Sequence, residues 1–128
     1  GDTIKFAGDA ILVVWGGTQQ HDWAGTTFAS GPGKRAQKPE HELLLDAAVC
    51  CLELVRRFDD YATVFPEHRL RLHAGVASGE VSACYTGGHR SMWEYLVAGP
   101  PIDDMSCAAG EAQSGELFLS TKARALLD

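Results

Sequence analysis

This sequence lacks a CxxC pair and an HxxxH spacing, and no apolar run approaches the roughly 20 residues of a membrane span. Basic residues are scarce as well. Eleven Lys and Arg stand against 17 Asp and Glu, for a net charge of −6. That balance argues against broad contact with nucleic-acid phosphates or an anionic membrane surface. The histidines (His21, His41, His68, His73 and His89) are scattered, which argues against zinc. Cys50 and Cys51 fall inside a helical pattern, and Cys84 and Cys107 stand alone. Buried thiols in a reducing compartment, and hence a cytoplasmic protein, are the expectation. Gly75 and Gly79 lack the further glycine and the following helix of a dinucleotide fingerprint, so they read as a hairpin turn. Ser78 has no His and acid partners at recognisable spacing, which argues against nucleophilic catalysis. There is no initiator Met and no signal-peptide pattern. At 128 residues, beginning on a strand-like segment, the chain reads as one incomplete domain.

What is present is a regular alternation of element types. Ile4 and Phe6 alternate with Lys5 and Ala7, as on a strand with one apolar face. Ala10 to Trp15 is an unbroken apolar run, read as a strand buried on both faces. Gly8-Asp9 between them makes a hairpin tip. Residues 16–39 carry Gly, Gln, Pro and Lys without a core stripe and read as a flexible, solvated insertion. Glu40 to Tyr61 reads as a helix, with Leu44, Ala47, Ala48, Cys51, Leu52, Val55 and Phe58 on one stripe.

Arg69 to Ala77 alternates as one strand, turning at Ser78-Gly79 into a second strand through Val81, Ala83 and Tyr85. Thr86 to Ser91 reads as a loop and Trp93 to Ala98 as a strand. Gly99-Pro100-Pro101 opens a helix, because proline suits a first turn. Its stripe of Met105, Ala108, Ala109 and Ala112 is small enough to lie close against a sheet. Glu116 to Leu119 is a last strand, and Ser120 caps a short helix. Hairpins mixed with helical crossovers predict an α+β fold with helices against one sheet.

Asp9 is the residue with the most chemistry open to it. A carboxylate at a hairpin tip suits Mg²⁺, which takes one or two protein carboxylates together with substrate phosphates. It equally suits a turn, since Asp tolerates turn geometry and bonds its own backbone. Asp103 and Asp104 open a helix, where acidic side chains are favoured in any case.

The segment "GDTIKFAGDAILVVW" closely resembles the second metal-binding segment of class III nucleotide cyclases, in particular the first catalytic half of the soluble, bicarbonate-responsive adenylyl cyclases. The similarity continues in the family's order through "LRLHAGVASGEV", "EYLVAGPPIDDMSCA" and "SGELFLS". The resemblance implies a ferredoxin-like sheet with flanking helices, whose first strand and helix are missing here. It implies a domain that pairs head to tail with a second cyclase domain, in the same polypeptide or a partner chain. It implies conversion of ATP to cyclic AMP and pyrophosphate by two Mg²⁺ or Mn²⁺ ions. Asp9 matches one metal-binding Asp, behind the turn residue Gly8, and the other would lie upstream of Gly1.

Lys5 matches a purine-contacting lysine, with Leu96 at its companion's position. It also matches the lysine of a bicarbonate pocket, whose arginine position falls at Ser106. Arg71 and Arg90 are the other basic candidates for that pocket. The complementary Asn and Arg positions fall at Asp103 and Cys107, which cannot steady ribose or transition-state charge. The resemblance thus implies a metal-supplying half within a heterodimeric arrangement. A non-catalytic cyclase-like module and a guanylate cyclase half are the alternatives. A diguanylate synthase is disfavoured, because Phe6-Ala7-Gly8-Asp9 does not supply a GG[DE]EF turn.

Overall fold

The computed structural model describes residues 2–16, 20–21, 27–28 and 38–128. The expected insertion at 16–39 lies mostly outside the described residues. Two short strands within it, β3 (Gln20–His21) and β4 (Thr27–Phe28), pair antiparallel.

The longest element is α1 (Glu40–Arg57). Glu40 and Glu42 in its first turn and Arg56 and Arg57 in its last complement the helix dipole. Leu44, Ala47, Ala48 and Val55 form its buried face. The helix stops short of Tyr61, where the apolar spacing alone carried it. Phe58 donates back to the Leu54 carbonyl (3.0 Å), and Asp60 takes a left-handed conformation with φ 53°. A residue in that region ends a helix and redirects the chain. Here it leads into β5 (Tyr61–Ala62), which pairs antiparallel with β6 (Arg69–Leu70).

The alternating stretch Arg69–Ala77 is not one strand. It divides into β6 and β7 (Ala74–Val76), because its two ends pair with different partners. β7 runs parallel to β10 (Leu117–Leu119), in register Ala74↔Leu117 to Val76↔Leu119. Ser78-Gly79 is therefore not the tip of a hairpin. β8 (Ser82–Gly87) pairs instead with β9 (Trp93–Ala98), so the expected loop at Thr86 begins two residues late, and His89–Ser91 forms a 3₁₀ turn.

Helix α2 (Pro100–Glu111) starts with proline in its first positions and buries Pro101 and Ala108, with Ala112 just beyond its end. Its small residues bring it down onto β7, as the sequence pattern predicts. Helix α3 (Thr121–Leu127) is capped by Ser120, whose hydroxyl accepts from the Ala123 amide at 3.2 Å.

Leu44 and Ala47 of α1, Val76 of β7 and Ala123 of α3 form the core cluster. Trp15, Cys51, Leu117, Leu119 and Leu127 pack around it. The fold is thus mixed α and β, with, among the described residues, three α-helices and five two-stranded sheets. The cysteines also depart from expectation. Cys84 and Cys107 are exposed, and Cys50 and Cys51 are half-buried, because their helix buries only one narrow stripe. Among the described residues, no helix is long and apolar enough to cross a membrane.

Candidate functional site

The first hairpin joins β1 (Asp2–Ala7) and β2 (Ala10–Val14) antiparallel. Ala7 opposes Ala10, so Gly8 and Asp9 alone make the connection. Gly8 has φ 63° and Asp9 does not share the left-handed conformation. Glycine at the first of two tip positions is the pattern of a II′ turn, whose twist matches that of the flanking strands. A β-carbon on Gly8 would meet nothing within 4 Å, so the requirement for glycine is conformational and not steric crowding.

Asp9 is exposed at this tip. Its carboxylate has no hydrogen-bond or ion-pair partner among the described residues. The register shifts by one residue between Thr3 and Lys5, opposite Val13 and Leu12. Such a bulge bends the ribbon and re-aims its end. Lys5 itself opposes Leu12 in the backbone ladder.

Burial grows along β2 away from the tip. Ala10 and Ile11 are exposed, Ile11 at 58%, whereas Leu12 to Trp15 are half-buried. The strand is therefore not covered on both faces near Asp9. Among the described residues the sheet has two strands, and no further strand shields the tip. Phe6 is exposed for the same reason.

Among the described residues, no three His, Cys, Asp or Glu side chains are grouped to hold a metal ion. An exposed, unpartnered carboxylate still fits an open Mg²⁺ site, in which substrate oxygens and waters fill most positions.

The other candidate positions are spread over separate elements. Leu96 lies on β9, opposite Cys84. Asp103, Ser106 and Cys107 are exposed on α2, and the Ser106 hydroxyl donates to the Ile102 carbonyl at 2.8 Å. Cys107 borders an open cleft between α2, β10 and α3, shared with Asp104, Phe118 and Lys122. Arg71 is engaged by Asp59 (3.9 Å) and Asp60 (3.7 Å). Arg90 sits in the 3₁₀ turn with φ 54°. Ser78 is buried and donates to Glu40, a tie between the loop after β7 and the first turn of α1. That hydroxyl has a structural partner.

Two features were not singled out from the sequence. One is the β8–β9 arm, exposed from Glu80 to Glu94. It carries Tyr85 (70% exposed), Met92 (65%) and Trp93 (64%), with the Tyr85 and Tyr95 rings 4.9 Å apart across the strands. The signal was there in the three aromatics and Met92 within eleven residues. The other is Trp15, whose packing on the core could not be told from the apolar run it ends.

The whole chain aligns with adenylate cyclase type 10 of Rattus norvegicus at 27% identity over 128 residues. The human protein of the same name is 28% identical over 131 residues and that of Mus musculus 27% over 129. The chain spans 7% of the length of each of these relatives. No protein-family profile matches it, and no solved structure does. Along its full length, the chain is thus similar to a short segment of adenylate cyclase type 10.

Proposed function

We propose that this chain is part of the metal-supplying half of an adenylate cyclase, which forms cyclic AMP and pyrophosphate from ATP together with a second cyclase domain. The observation that carries the reading is an unpartnered Asp9, held at a glycine-led hairpin tip in a chain similar throughout to adenylate cyclase type 10. On this reading the small sheets are parts of one ferredoxin-like sheet, completed by polypeptide beyond these residues.

Asp9 would hold Mg²⁺ or Mn²⁺ jointly with a second Asp outside this segment. Bound ions of this kind acidify an attacking hydroxyl and neutralise charge as it develops on phosphate. In the reaction, the ribose 3′-oxygen bonds to the α-phosphorus and the bond from that phosphorus to the pyrophosphate oxygen breaks. The 3′-hydroxyl proton leaves to solvent or base. The two-residue turn sets where Asp9 stands, and among the described residues no cation pairs with its carboxylate.

Asp103 and Cys107 are exposed, but neither can supply the positive charge that a transition state of this kind needs. The partner domain therefore brings that charge. The exposed aromatic arm β8–β9 offers apolar surface for such a partner. Lys5 would face purine or bicarbonate in a pocket completed by the partner. Lys5→Ala should alter a response to bicarbonate, and an unchanged response would remove it from that role.

A second reading is a non-catalytic cyclase-like module. Guanylate chemistry is the further alternative, since purine choice would rest mainly with the partner. Assaying the complete polypeptide with ATP or GTP and Mn²⁺ separates the three. Cyclic AMP that depends on Asp9 supports the proposal, cyclic GMP supports the guanylate alternative, and no cyclic product supports the module.

A further inference from the structure

We infer that Trp15 is the positioning residue for Asp9: it fixes the metal-facing hairpin to the core. The inference rests on the metal role proposed for Asp9. Three observations lead to it. Asp9 stands at a bare tip, burial increases along β2, and Trp15, the residue after β2, packs against the cluster of Leu44, Ala47, Val76 and Ala123. Among the described residues of this segment, Trp15 is the one that joins that cluster. The hairpin's backbone pairing is internal, β1 with β2, so no ladder hydrogen bond ties it to a neighbouring sheet among the described residues. Among the described residues, that leaves side-chain packing to hold it.

The geometry amplifies any looseness. From Trp15 to Asp9 is six residue steps, or roughly 20 Å of strand at about 3.3 Å per residue. A tilt of about 3° at the Trp15 end then moves the carboxylate by about 1 Å. Misplacement on that scale costs about a hundredfold in rate when reacting groups must be aligned. The bulge between Thr3 and Lys5 lies between anchor and tip and sets the direction in which the tip points. A large, stiff indole suits an anchor: it fills area with few rotatable bonds.

The test uses the complete polypeptide and compares Trp15→Phe, Trp15→Leu and Asp9→Asn. Two quantities are read: Mn²⁺ binding, from loss of the free-ion electron paramagnetic resonance signal, and the kinetics of cyclic AMP formation. Trp15→Leu, which lacks a ring, should weaken Mn²⁺ binding and lower kcat, each by about tenfold, with the KM for ATP within about twofold. Trp15→Phe keeps a ring and should recover most of both. Asp9→Asn should lose Mn²⁺ binding and turnover together. If Trp15→Leu binds Mn²⁺ and turns over as the parent does while Asp9→Asn fails, the anchor is refuted and the metal role stands. If Asp9→Asn binds Mn²⁺ and turns over normally, the metal role fails and the anchor inference falls with it.

Discussion

Gly75 of β7 and Met105 of α2 approach so closely that a β-carbon on Gly75 would stand 2.4 Å from the Met105 carbonyl oxygen. It would stand equally close to the Ala109 amide nitrogen. Both obstructing atoms are backbone, so neither can swing aside. Gly75→Ala should therefore push helix from strand and destabilise the chain by about 3 kcal/mol, at the upper end for overpacking. A urea titration checks this, with a lower midpoint and an unchanged slope expected.

Ser120 joins β10 to α3, and its hydroxyl accepts the amide of Ala123, a residue with 0% exposure. Ser120→Ala orphans that donor and should cost about 1 kcal/mol. Ser120→Asp restores an acceptor and should recover most of the loss. Equal midpoints for the two variants would show that the cap is not what Ser120 contributes.

Burial holds the Cys51 thiol above the ordinary thiol value, with the neighbouring Cys50 adding to the shift. The folded chain thus binds this proton more tightly than the unfolded chain. The associated stability is complete below the unfolded thiol value and is lost as pH rises through the folded one. Alkylation with iodoacetamide at mildly alkaline pH should label exposed Cys84 and Cys107 before Cys51. Peptide mass mapping over time reads the order.

Trp93 is 64% exposed on the β8–β9 arm, so Trp93→Ser should change the chain's stability by no more than about 0.5 kcal/mol. If the arm docks a paired domain, the same change should lower cyclic AMP formation in the complete polypeptide. Stability and activity measured together separate surface recognition from folding.

Short-range chemistry was the legible part of this fold. Gly8-Asp9 as a tip, proline opening α2, Ser120 as a cap and the small residues of α2 all follow from local rules, and each stands where the sequence put it. Strand partnership was not legible. The alternation of Arg69–Ala77 is the same whether its ends share one neighbour or, as here, pair separately with β5 and β10. The end of α1 was missed because Phe58 continues the apolar stripe, while Asp60 turns the backbone left-handed. At the candidate site, Asp9 was visible by type and setting, but a run of six apolar letters does not say which one, Trp15, reaches the core.

The most direct test of the account is the rate of cyclic AMP formation from ATP and Mg²⁺ by the complete polypeptide carrying Asp9→Asn. The substitution keeps the shape of the side chain and its turn and removes only the charge. Turnover should fall to background, with the circular dichroism spectrum and unfolding midpoint of the parent. Near-parental turnover would contradict it and leave Asp9 as a turn residue.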